Sequence, residues 1–122
     1  MFVIDVMSRV PVYEQLINQV EEQILTGLLN SGDKMPSVRS LSVSLSINPN
    51  TIQKAYTELV RMKLIITVSG KGSFVSSEAL NILGTSSREK MPEFKQAIKE
   101  LALAGITKSE IMEAVDEVFK NL

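Results

Sequence analysis

The chain contains no cysteine and no histidine. The first absence removes thiol nucleophiles and disulfides, the second removes imidazole general bases, and together they remove zinc sites of the usual Cys/His kinds. There is no basic start followed by a long apolar segment, and no apolar run long enough to span a bilayer. A soluble cytoplasmic protein with no membrane partner is therefore expected. The acidic pairs Glu21/Glu22 and Asp116/Glu117 are adjacent on helical stretches. Their side chains point about 100° apart, which suits solvated faces better than acid/base work. Without a nucleophile–base pair, a phosphate loop or a metal cluster, no enzyme, cofactor or metal is expected. Internal repeats and low-complexity tracts are lacking too.

What is present is a chain of 122 residues, 44% of them apolar, with a formal net charge of −1. That length suits one domain, or one domain plus a helical appendage. A mean hydropathy near zero argues for a folded chain. The near-neutral total hides an uneven distribution. Between Lys34 and Val75 stand Lys34, Arg39, Lys54, Arg61, Lys63 and Lys71 against Glu58 alone, a local excess of five positive charges. A basic block inside a neutral chain is the footprint of a DNA-contacting module.

From the N-terminus, Phe2-Val3-Ile4 reads as an edge strand. Pro11 opens a helix whose apolar stripe is Tyr13, Leu16, Ile17, Val20, Ile24 and Leu28, stopped by Gly27 and the Asn30–Asp33 cluster. A second, short helix starts after Pro36 with Ser37 as N-cap and Val38, Leu41 and Leu45 on one face. Asn48 and Pro49 fit the N-cap and first position of a third helix, with Ile52, Ala55, Tyr56 and Leu59 inward. Its other face shows Asn50, Gln53, Lys54 and Thr57. Two short helices joined by a tight turn describe a helix-turn-helix. Residues 64–68 and 73–75 flank a Gly-rich turn and form a hairpin wing with Lys71 at its tip. Gly84, Thr85, Ser86 and Ser87 read as a turn. A helix bearing Met91, Phe94, Ile98 and Leu101 follows and ends at Gly105. The last helix has Thr107 as N-cap, Glu110 completing a capping box, and Ile111, Val115, Val118 and Leu122 on one face.

The resulting fold class is α+β. A winged helix-turn-helix of three helices and a β-hairpin occupies residues 1–77, and residues 78–122 hold a linker and a two-helix part for dimerisation or effector response. So apolar a helix pair needs a partner surface. Phe94, Ile98, Leu101, Ile111, Val115 and Val118 are the expected dimer interface.

Several stretches resemble, in order and spacing, the GntR family of bacterial regulators, specifically its short YtrA-like subfamily. They are Val12-Tyr13-Glu14-Gln15-Leu16, Gly32-Asp33-Lys34-Met35-Pro36-Ser37-Val38-Arg39, Asn48-Pro49-Asn50-Thr51, Lys54-Ala55-Tyr56 and Gly70 to Val75. The resemblance implies a homodimer that represses a palindromic double-stranded DNA operator, often of a transporter operon, and is released by a small-molecule effector whose identity the sequence does not give. It also implies that Arg39 reads a guanine in the major groove, for which its planar fork is suited. Ser37, already placed as a cap, gains a phosphate contact by the same likeness. Asn48, Asn50, Thr51 and Gln53 lie at the start of the recognition helix, where base edges are met. Here the chain departs from the broad family, which tends to carry arginines at the positions of Pro49 and Gln53. Amides pair with adenine, so an A·T-richer half-site is expected. Lys54 is expected on phosphate, and Lys71 with Gly72 on the backbone or in the minor groove. The competing reading is a winged-helix adaptor that binds protein and reads no DNA, which the net acidity favours slightly.

Overall fold

The computed structural model describes residues 2–122. The chain divides into two compact units, Met1–Gly84 and Thr85–Leu122.

The first unit begins with an extended segment in place of the expected edge strand: residues 2–4 join no sheet. Two glutamines of helix α1 (Val12–Leu25) take the role of a neighbouring strand. Gln19 Oε1 accepts the Val3 N–H at 2.9 Å and its Nε2 donates to the Val3 carbonyl at 2.6 Å. Gln15 does the same for Asp5, at 2.9 Å in both directions. The match is geometric. Two residues of extended chain advance about 6.8 Å, and four residues of helix about 6 Å. This zipper lets Phe2 drop into the core.

Leu16, Ile17, Val20 and Ile24 bury the inner face of α1. Leu28, expected on that stripe, is 66% exposed, and Leu29 is buried instead. The helix has ended at Leu25, and Gly27 at φ +82° breaks the 3.6-residue period before Leu28 is reached. Helix α2 (Val38–Leu45) follows a stretch in which Lys34 bridges to Phe74. Ser46 ends it in the left-handed conformation, and Ser42 Oγ donates to the Ile47 carbonyl at 2.5 Å, closing the turn into α3. Helix α3 (Pro49–Arg61) inserts Ile52, Ala55, Tyr56 and Leu59 into the centre of the unit. Strands β1 (Ile65–Val68) and β2 (Gly72–Val75) pair antiparallel, Ile65 opposite Val75 and Val68 opposite Gly72. Leu64, Ile65 and Val75 seal the core from the wing side.

One helix was not expected. Helix α4 (Ala79–Arg88) runs through Gly84, Thr85, Ser86 and Ser87, which read as a turn. Ala79 and Leu83, four residues apart, are both buried on the core, and this anchored turn carries the helix onward through residues of weak helical preference.

Helices α5 (Met91–Leu103) and α6 (Lys108–Lys120) make up most of the second unit. Gly105 at φ +96° turns the chain between them, and Thr107 Oγ1 accepts the Glu110 N–H at 3.1 Å as the N-cap of α6. Neither helix buries a single residue. The winged helix-turn-helix and a C-terminal helical part are thus in place, with α4 added.

Candidate nucleic-acid interface

The start of α2 is fixed from two sides. Ser37 Oγ accepts the Ser40 N–H at 3.0 Å, which leaves the N–H groups of Val38 and Arg39 without helical partners. Tyr56, buried in α3, donates its hydroxyl to the Pro36 carbonyl at 2.6 Å. Burial pushes that phenol up to about 12. The Arg39 side chain is exposed and makes no hydrogen bond or ion pair with any described residue. Its guanidinium is therefore not tied to the protein.

On α3, Asn48 Oδ1 accepts the Asn50 N–H at 2.8 Å, so half of the Asn48 amide serves as cap. Asn50 and Gln53 are exposed, Thr51 is half-buried, and Gln53 Nε2 donates to Thr57 Oγ1 at 3.2 Å. Lys54 bends toward α1, its Nζ 3.9 Å from the centroid of the Tyr13 ring. Further along, Arg61 pairs with Glu58, Nε lying 3.0 Å from Oε2. That hydrogen bond lowers the Glu58 carboxyl pKa and raises that of Arg61. One cation of the basic block is therefore already answered within the protein.

In the wing, Lys71 is exposed at the tip and its N–H donates to the Val68 carbonyl at 3.0 Å. Gly72 sits at φ +115°, and a Cβ there would lie 3.1 Å from Lys34 Cε. The positive φ favours glycine here, since the flexible end of the Lys34 side chain can give way. Between the wing and the start of α2 lies a cleft of about 300 Å³, lined by Lys34, Ser37, Tyr56, Lys71, Gly72 and their neighbours. It brings together three expected site residues, Ser37, Lys71 and Gly72. Arg39 and the α3 residues Asn48 to Lys54 lie outside its lining.

Two residues escaped the sequence reading. Lys34 was counted in the basic block but not singled out, because Gly32–Pro36 carries no periodic signal. Its place beside β2 comes from the backbone bonds Met35 N–H to Ser73 and Val75 N–H to Asp33, each 2.8 Å. Tyr13 read as part of the α1 stripe, and only the packing of α1 on α3 reveals what it faces.

In the second unit a groove of about 570 Å³ runs between α5 and α6. All six expected interface residues line it: Phe94, Ile98, Leu101, Ile111, Val115 and Val118. Phe94 remains 47% exposed, Leu101 46% and Val118 62%. Among the described residues no group of three or more His, Cys, Asp or Glu could hold a metal, and no helix is long and apolar enough to cross a membrane.

Known proteins share these features. Residues 12–75 match the family model for bacterial regulatory proteins, gntR family. The HTH-type transcriptional repressor YtrA of Bacillus subtilis is 38% identical, over 97% of this chain and 92% of that protein. A GntR family transcriptional regulator from Listeria monocytogenes superposes with a TM-score of 0.74 at 32% identity, covering 93% of this chain and 98% of that one. The DNA-binding domain of AraR, in a crystal structure with an operator, matches 62% of this chain and 93% of its own, with a TM-score of 0.54 and 27% identity. The first two are named for transcriptional repression or regulation, and the third for its complex with an operator.

Proposed function

The chain belongs to the gntR family of bacterial regulatory proteins and is a DNA-binding transcription regulator, and from that premise we propose that it is a dimeric, cytoplasmic repressor of a palindromic operator, released by a small-molecule effector. The observation that carries the DNA-reading part is the state of the helix-turn-helix. The Arg39 side chain stands exposed without a partner among the described residues, and Asn50 and Gln53 stand exposed on α3. In this reading Arg39 takes a guanine, the amides of Asn48, Asn50 and Gln53 favour adenine edges, and the Thr51 hydroxyl meets a base edge of either kind. Ser37, Lys54, Lys71 and Gly72 follow the phosphate backbone. The uncovered α5–α6 groove supports the dimer. Two copies related by a two-fold axis would cover each other's apolar face and present two wings to one duplex. An effector that acted at this seam would alter the spacing of the two grips without touching DNA.

Selection of duplexes from a random pool by the purified full chain tests the reading. Enrichment of an inverted repeat with A·T-rich half-sites, bound with a steep salt dependence, is the expected outcome. An unrepeated motif would overturn the two-fold operator. No enrichment, with binding indifferent to salt, would overturn DNA reading and leave the adaptor.

A further inference from the structure

The exposed face of α3 carries Lys54 among its amides, and that cation is not loose. Lys54 Nζ lies 3.9 Å from the centroid of the Tyr13 ring, across the α1–α3 contact. Tyr13 is held in turn, its hydroxyl donating to Glu14 Oε1 at 3.2 Å. The carboxylates of Glu14 and Glu58 both act on the ring's hydroxyl and raise its pKa, the hydrogen bond to Glu14 contributing most. A negative ring face flanked by two carboxylates is a favourable seat for an ammonium group. An unseated lysine must surrender many rotamers when it contacts a phosphate, whereas a seated one has already done so. The seat draws the charge toward α1.

We propose that Tyr13 is a positioning residue for DNA recognition: its ring seats the Lys54 ammonium at the α1 edge of the recognition helix, where it meets a backbone phosphate and leaves the base edges to Asn50 and Gln53. The inference rests on the DNA-binding reading above. It assigns to α1, whose role in the fold is otherwise packing, a share in setting phosphate contacts.

The test uses the full chain and a duplex recovered by selection, titrated at several salt concentrations. Tyr13→Phe keeps the ring and should bind as the unaltered protein does. Tyr13→Leu should bind about two- to fivefold more weakly, the size of an exposed cation–π contact. Its plot of log affinity against log salt should be shallower by about 0.9, one phosphate contact. Adding Tyr13→Leu to Lys54→Ala should cost nothing further. A Tyr13→Leu protein with the full salt slope, or losses that simply add, would overturn the proposal. A second readout needs no DNA: the Lys54 ε-methylene protons should show a ring-current shift in the unaltered protein and in Tyr13→Phe, lost in Tyr13→Leu. Absence of that shift in the unaltered protein would also overturn it. If the shift is present but the unaltered protein binds no duplex, the DNA-binding reading itself fails and takes the positioning role with it.

Discussion

Leu101 offers the sharpest test of the two-fold grip. It lines the apolar groove of the second unit yet is 46% exposed within one protomer. Complete burial of a leucine side chain is worth about 1.5–3 kcal/mol, so the surface still facing water holds roughly half of that, about 0.7–1.5 kcal/mol. A two-fold interface counts the residue twice, which makes Leu101→Ala worth about 1.5–3 kcal/mol of dimer stability. That corresponds to a dimer Kd raised about 10- to 100-fold. Leu101→Glu goes further, because it forces two like charges into the seam with no cation among the groove residues to answer them. Sedimentation velocity across a range of concentrations should show this protein as a monomer. Thermal melting should show the winged helix-turn-helix intact, since Leu101 is absent from its core. Operator affinity should fall in parallel as the two half-site grips come apart. If Leu101→Glu sedimented as a dimer at the concentrations where the unaltered protein does, the reasoning from groove to interface would be wrong.

Two further outcomes are expected in the first unit. Arg39→Ala should cost about 1–3 kcal/mol at one base pair of each half-site, read by gel-shift titration against duplexes altered at that pair; unchanged affinity would remove Arg39 from the base-reading set. Tyr56 makes a prediction about alkaline stability. Its phenol is raised from 10.0 to about 12 in the folded protein, so folding favours the protonated form. That stabilisation is complete below pH 10 and is lost as pH rises from 10 toward 12, where the unfolded chain ionises first. Tyr56→Phe should flatten this alkaline fall in denaturant titrations. At neutral pH it should lose about 0.5–1.5 kcal/mol with the hydrogen bond to Pro36. A variant that retained the full alkaline fall would show that Tyr56 is not its source.

Local chemistry made most of the fold legible. Ser37, Asn48 with Pro49, and Thr107 are caps that announce themselves by residue type, and each caps the helix expected of it. The wing was readable because a β-branched run meets a glycine pair, and Gly70 and Gly72 both take positive φ. The misreadings arose where tertiary packing overrode local preference. Residues 2–4 have the composition of a strand, but the Gln19 amide on α1 takes both backbone hydrogen bonds of Val3, and the segment joins no sheet. Gly84 to Ser87 have turn chemistry, yet burial of Ala79 and Leu83 carries α4 through them. In the candidate interface, the residues on α2, α3 and the wing tip were accessible to motif and spacing. Lys34 and Tyr13 were not, because each gains its meaning from a contact distant in sequence: Lys34 from Gly72, and Tyr13 from Lys54.

The basic block and the apolar groove belong to one argument about affinity. Of the six cations between Lys34 and Val75, Arg61 is paired with Glu58, while Lys54 keeps its charge on its seat over Tyr13. Among the described residues five of the six thus remain without an ion pair in each protomer, and counterion release, which scales with the phosphates neutralised, is bounded by that number for one copy. Joining two copies turns the second half-site contact into an intramolecular event, so the two terms combine on one duplex without any new contact to DNA. In the proposed dimer the coupling would be reciprocal: whatever strengthened the α5–α6 seam would tighten the operator complex, and the operator would tighten the seam by the same factor. A ligand that loosened the groove would then lower operator affinity although no DNA-facing residue had moved. On the proposed dimer, a chain with a net charge of −1 would have a route to switchable DNA binding through its apolar groove.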